Sequence, residues 1–93
     1  MSYALNVQSE AVIEIQTAFE WYELQKGGLG FEFIEEVENG FSKICNHPQY
    51  YTFVSAHFRR FKIQRFPYLI IYEINNKTVI INSVKHASKK RKL

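Results

Sequence analysis

The sequence predicts an α+β fold of element order β-α-α-β-β-β, with a helical hairpin laid on one face of a twisted, mainly antiparallel sheet. Three observations predict it. Apolar residues recur at every second position before Ser9, at every third or fourth from there to Ile44, and at every second again beyond Pro48. The run Gly27-Gly28-Leu29-Gly30 divides the helical stretch in two. Beyond Pro48, Phe66-Pro67 and Asn75-Asn76-Lys77 punctuate β-branched and aromatic runs, and short turns between consecutive strands dictate antiparallel pairing.

The opening strand is Tyr3 to Val7, where Tyr3, Leu5 and Val7 alternate with Ala4 and Asn6. Ser9 is the expected N-cap of the first helix, Glu10 suits the positive end of its dipole, and Val12, Ile15, Phe19 and Tyr22 form its expected buried stripe to about Gln25. In the second helix Ile34, Val37, Phe41 and Ile44 make the apolar face, while Glu32, Glu35, Glu36 and Glu38 crowd toward solvent. Gly40 inside it costs about 1 kcal/mol of helix propensity and marks an expected close-packing point. His47-Pro48 ends the helical region. In the next strand Phe61, Ile63 and Arg65 alternate with Arg60, Lys62 and Gln64, and the strands Leu69 to Ile74 and Thr78 to Val84 follow. A further short strand is expected near Tyr51 to Val54. Residues 1–88 form the expected single domain, and 89–93 a basic tail.

With 93 residues, 46% of them hydrophobic, the chain can build one core and not two. Cys45 stands alone and cannot form an internal disulfide, and no secretory leader is visible, so a cytoplasmic protein is expected. The longest apolar run, Tyr68 to Tyr72, falls far short of the roughly 20 residues of a membrane-spanning helix, and no membrane association is expected. Histidine and cysteine lack metal-ligand spacing, and Gly27 to Gly30 lacks the lysine and hydroxyl residue of a phosphate loop, so neither metal nor cofactor is expected. Cys45 and His47, at a helix end with no third group, do not make a nucleophilic dyad.

The net charge of +3 conceals a division of sign. Residues 1–46 hold eight Glu against Lys26 and Lys43, whereas residues 47–93 hold ten Lys or Arg against Glu73. A basic half of this kind attracts phosphate or an acidic partner, and directs the search for function to the C-terminal half. A solvated basic surface without a ligand is the plain alternative.

Several segments together resemble the RelE/ParE superfamily of toxins from type II toxin–antitoxin systems, also known as the plasmid stabilisation family. They are Ala18-Phe19-Glu20-Trp21-Tyr22 followed by Gly28-Leu29-Gly30-Phe31-Glu32-Phe33, the exit Ile44-Cys45-Asn46-His47-Pro48, the segment Arg60-Phe61-Lys62-Ile63-Gln64-Arg65-Phe66-Pro67-Tyr68, and the ending Val84-Lys85-His86. The resemblance implies a growth-inhibiting toxin held in a hetero-oligomer by a cognate antitoxin. RelE-like members cleave mRNA in the ribosome without a metal; ParE-like members bind and inhibit DNA gyrase. Leu69 stands where RelE carries a catalytic arginine, Gln64 near one of its lysines and Ala87 near another arginine, so the ParE-like branch is the closer.

Metal-free ribonuclease chemistry needs a base for the 2′-hydroxyl, a cation for the phosphorane and an acid for the leaving oxygen. Arg65 and His86 are the candidates here, with Lys62 and Tyr72 beside them; a spacing of three in a strand sets Arg65 and Lys62 on opposite faces. For binding a target or antitoxin, the expected residues are Arg59, Arg60, Lys62, Arg65, Tyr72, Lys85, Lys89, Lys90 and Arg91, because guanidinium forks pair with carboxylates at interfaces. A non-toxic basic module that binds nucleic acid is the alternative from another class. The many aromatics are expected mostly in the core, with Tyr50-Tyr51 the pair left partly exposed.

Overall fold

A computed structural model describes residues 3–88; the predicted contacts at Lys89, Lys90 and Arg91 lie outside the described residues. The order is β1 (Ala4–Val7), α1 (Ser9–Gln25), α2 (Leu29–Asn46), a single 3-10 turn (Pro48–Tyr50), β2 (Arg59–Lys62), β3 (Tyr68–Asn75) and β4 (Thr78–His86). The strands form one sheet in the order β1-β4-β3-β2. β2, β3 and β4 pair antiparallel as expected, and β1 returns parallel to β4, so the sheet is mixed. Both helices lie on one face. The expected extra strand near Tyr51 is reduced to one bridge between Phe53 and Arg59.

α2 carries the main core stripe. Phe33, Val37, Gly40 and Ile44 recur at three- and four-residue intervals and are buried against Phe61, Ile70, Tyr72, Val79 and Ile81 of the sheet. At Gly40 the approach is close: a β-carbon there would lie 2.9 Å from Ile70 Cδ1 and 3.0 Å from Phe61 Cε1. The Glu35 and Glu38 side chains point to solvent on the opposite side.

α1 departs from expectation in two respects. Ser9 is the first helical residue, Gln8 occupies the cap position, and no side chain caps the helix; the Gln8 amide donates instead to Ile81 O of β4 at 2.9 Å. The buried stripe is also rotated by about one residue. Ala11, Ile15, Ala18 and Tyr22 face the core, while Val12 is 48% exposed. Two small residues in the stripe let α1 lie close to the sheet, and the larger side chains Ile13, Trp21 and Leu24 are left outside.

The hairpin between the helices is fastened by one carboxylate. Glu23 Oε2 accepts the Gly28 amide and Oε1 the Gly30 amide, each at 2.8 Å, so two orphan donors at the start of α2 are satisfied by a side chain of α1. Gly28 adopts φ 94°, which favours glycine, and a β-carbon on Gly30 would meet Phe19 O at 2.6 Å.

Gly30→Ala is expected to lower stability by about 1–3 kcal/mol through overpacking against backbone. Glu23→Ala is expected to cost about 1 kcal/mol through the lost cap. Urea titration reads both as lower midpoints with an unchanged slope.

Candidate functional site

Alternation along the strands divides the basic residues between two surfaces. Phe61 and Ile63 turn toward the helices, so Arg60 and Lys62 stand exposed on the other, open face of the sheet. Lys62 pairs across the ladder with Leu69, and Leu69 with Lys85, while Arg60 pairs with Ile71. Direct cross-strand partners share a face, so Lys62 and Lys85 flank Leu69, separated by two strand spacings, roughly 10 Å, with Arg60 about 7 Å along the strand from Lys62. Leu69, Ile71 and Ile80 are half-buried there and are not part of the core cluster. Glu73 is the one carboxylate on β3, and it accepts an Asn82 Nδ2 hydrogen bond at 3.2 Å.

Arg59 and Arg65 make contacts within the chain, Arg59 half-buried and Arg65 at the surface. Arg59 points to the helical side, where Nη1 donates to Gln49 O at 3.0 Å and Tyr51 O at 2.7 Å, and its guanidinium stacks 3.8 Å from the Phe53 ring centre. It clamps the segment between α2 and β2. Arg65 is not in a strand at all: β2 ends at Lys62, and Arg65 lies in the following turn at φ 71°, a left-handed geometry uncommon for arginine. Its Nη2 donates to Glu32 at 2.5 Å and its Nη1 lies 3.6 Å from Glu36, so the turn is tied to α2. The hydrogen bond to Glu32 heads the influences that raise the Arg65 pKa and hold it charged. The spacing argument that opposed Arg65 to Lys62 therefore does not apply, because no strand runs between them.

Tyr72 proves internal. It is 0% exposed, and its hydroxyl donates to Pro48 O at 2.6 Å, so it cannot touch a partner from this position. Tyr72 follows the two-residue count from the buried Ile70, and what strand periodicity does not show is the 3-10 turn that brings Pro48 over the sheet to receive its hydroxyl. Burial pushes the Tyr72 phenol up to about 12.

His86 faces the helices, one residue from Lys85 and on the opposite face. Its ring meets Tyr68 edge-on at 5.2 Å, and Nδ1 accepts the Ser88 amide at 3.2 Å, which places the proton of the neutral ring on Nε2. It borders a groove of about 790 Å³ between α1 and the ends of β3 and β4, lined by Ile13, Thr17, Trp21, Tyr68 and Lys85 among others. Glu14 stands in this groove and ties α1 to the bulged part of β4: its Oε1 accepts both Ser83 Oγ and the Val84 amide at 2.8 Å. The structure does not bring Arg65 and His86 together; the stacked rings of Phe66, Tyr22 and Tyr68 stand between them. The groove was missed in the sequence, although Ile13, Thr17 and Trp21, spaced by four, were its signal. Among the described residues, no three His, Cys, Asp or Glu converge as metal ligands, and no helix is long and apolar enough to cross a membrane.

Residues 6–91 match the family model described as ParE toxin of type II toxin–antitoxin system, parDE. The chain belongs to this family. ParE-family membership agrees with the architecture. The chain is similar to a structure described as the chromosomal ParDE TA system from P. aeruginosa, with TM-score 0.83 at 10% identity over 94% of this chain and 98% of that one. It is also similar to the isolated E. coli RelE toxin, with TM-score 0.70 at 18% identity over 96% of this chain and 88% of that one. At these identities both likenesses speak for the fold alone. The comparison with curated proteins returns no match.

For this ParE-family chain, the buried Tyr72 predicts a distinct alkaline response. The folded state keeps the phenol proton at pH values where the unfolded chain, near 10.0, has lost it, so this contribution to stability declines as pH rises from 10.0 toward about 12. Tyr72→Phe is expected to flatten that part of the decline and to cost about 1–2 kcal/mol at neutral pH, because Pro48 O loses its donor. Denaturant midpoints of both proteins across the alkaline range check this.

Proposed function

We propose that this chain is a toxin that acts by binding a macromolecular target, with DNA gyrase the first candidate, and that direct binding of a cognate antitoxin neutralises it. The observation that carries the reading is the dispersal of the residues that RNA cleavage would need together. Arg65 is committed to Glu32 and Glu36, His86 lies on the helical face, and Lys62 and Lys85 lie on the open face with Leu69 between them. General acid–base catalysis requires its groups within hydrogen-bond reach of one reacting centre. A binding protein has no such requirement, and an exposed basic face serves it directly. Family membership supports the antitoxin partner, and the apolar groove beside α1 offers that partner a surface.

In a reaction of purified gyrase and relaxed plasmid, the chain is expected to inhibit supercoiling, and Arg65→Ala and His86→Ala are expected to inhibit as well as the unaltered chain. Codon-phased cuts in ribosome-bound mRNA that disappear in either variant would instead establish the RelE-like endonuclease reading.

A further inference from the structure

We infer that the open face of the sheet is the docking surface for the target, and that the segment it takes is acidic and aliphatic protein rather than nucleic acid. The inference rests on the reading of the chain as a target-binding toxin and adds where, and what chemistry, it binds.

The chemistry of the face makes the choice. Arg60, Lys62 and Lys85 supply exposed positive charge, and the rows Lys62-Leu69-Lys85 and Arg60-Ile71 set each aliphatic side chain beside a cation. A sheet that binds single-stranded nucleic acid offers aromatic rings on its open face, on which bases stack. Here the strand aromatics turn the other way: Phe61 and Tyr72 are buried under the helices, and Tyr68 packs against the core beside Tyr22. Bare lysines would hold phosphate, but Leu69 between Lys62 and Lys85, and Ile71 beside Arg60, gain nothing from a sugar–phosphate chain. A segment alternating carboxylates with Leu, Ile or Val satisfies both.

The same features separate target from antitoxin. A half-polar basic face suits a reversible encounter steered by charge and weakened by salt. The groove lined by Ile13, Trp21 and Tyr68 is apolar, with Lys85 at its rim, and resembles the surface of a long-lived complex. The two surfaces lie on opposite sides of the sheet and meet at Lys85.

The test uses the full chain and the double variant Lys62→Glu/Lys85→Glu, with Lys62→Gln/Lys85→Gln as the gentler form and Lys43→Glu/Lys77→Glu as a control of equal charge change elsewhere. The probes are a short peptide of alternating Glu and Leu and an oligothymidylate of the same charge. The unaltered chain is expected to bind the peptide at least about tenfold more tightly than the oligonucleotide. Reversing Lys62 and Lys85 is expected to remove peptide binding, to abolish growth arrest on induction without antitoxin, and to leave the melting temperature near that of the control. Tighter binding of the oligonucleotide would overturn the inference in favour of nucleic acid. A double variant, folded by the same measure, that still arrests growth would overturn it in favour of another surface. If gyrase is inhibited equally by the unaltered chain and the double variant, the docking surface is wrong and the gyrase reading stands. If peptide binding and growth arrest depend on the lysines while gyrase is untouched, the surface stands and gyrase is not the target.

Discussion

α2 approaches the sheet at Gly40 closely enough that a β-carbon there would sit 2.9 Å from Ile70 Cδ1, and the two-faced character of the sheet follows from that approach. With a helix this near, Phe61, Ile70, Tyr72, Val79 and Ile81 are sealed on one side, and the alternate positions of the same strands are compelled to the other. Arg60, Lys62, Leu69 and Ile71 owe their shared face to this alternation, and Lys85 joins them through the bulge at Asn82 of β4. α1 extends the cover over β4 with the small residues Ala11 and Ala18 beside Ile15 and Tyr22 in its stripe, and leaves Ile13, Trp21 and Leu24 at the surface.

The acidic half of the chain is put to internal use. Glu14 fastens α1 to the bulge in β4, Glu23 fastens the hairpin, and Glu32 and Glu36 hold the β2–β3 turn through Arg65. Glu14 and Glu23 accept from partly buried donors, where a charged acceptor is stronger than a neutral one, whereas the Glu32–Arg65 pair lies at the surface. The division of charge along the sequence therefore does not become a plain division between an acidic and a basic surface. Arg59 is spent holding the segment before β2, Arg65 is paired with Glu32 and Glu36 at the surface, and Arg60, Lys62 and Lys85 are left to act outward.

The element order was legible because each change of apolar period coincided with a strong local break: the glycines at 27, 28 and 30, Pro48, and the turn at Asn76, which adopts φ 57°. Gly40 was legible as a close contact for the same reason, since a helix interior tolerates glycine poorly without cause. Other features were hidden. The true stripe of α1 runs through Ala11 and Ala18, which carry little hydrophobic signal, beside the louder Val12 and Phe19. Ser9 sits where caps are made, but the amide of Gln8 is anchored on β4 and the helix starts one residue early. Arg65 was misplaced because β2 ends at Lys62 and a left-handed turn follows, while Tyr72 keeps the two-residue count of β3 and faces inward with Ile70, where Pro48 receives its hydroxyl. Arg60 and Lys62, in the regular strand β2, kept the face that alternation assigns, whereas Lys85 reaches that face because the bulge adds Asn82 to β4 and turns Val84, not Lys85, to the core. Parallel pairing of β1 with β4 joins residues some seventy positions apart and leaves no local trace.

The claim at the centre of this account is that the chain acts by occupying a target on the DNA side of metabolism and not by cutting message. A pulse-labelling time course after induction in a bacterial host, following thymidine and amino-acid incorporation over the first minutes, tests it most directly. The account predicts that thymidine incorporation falls first while protein synthesis continues. An early collapse of amino-acid incorporation with DNA synthesis intact would contradict it and return Arg65 and His86 to a catalytic role.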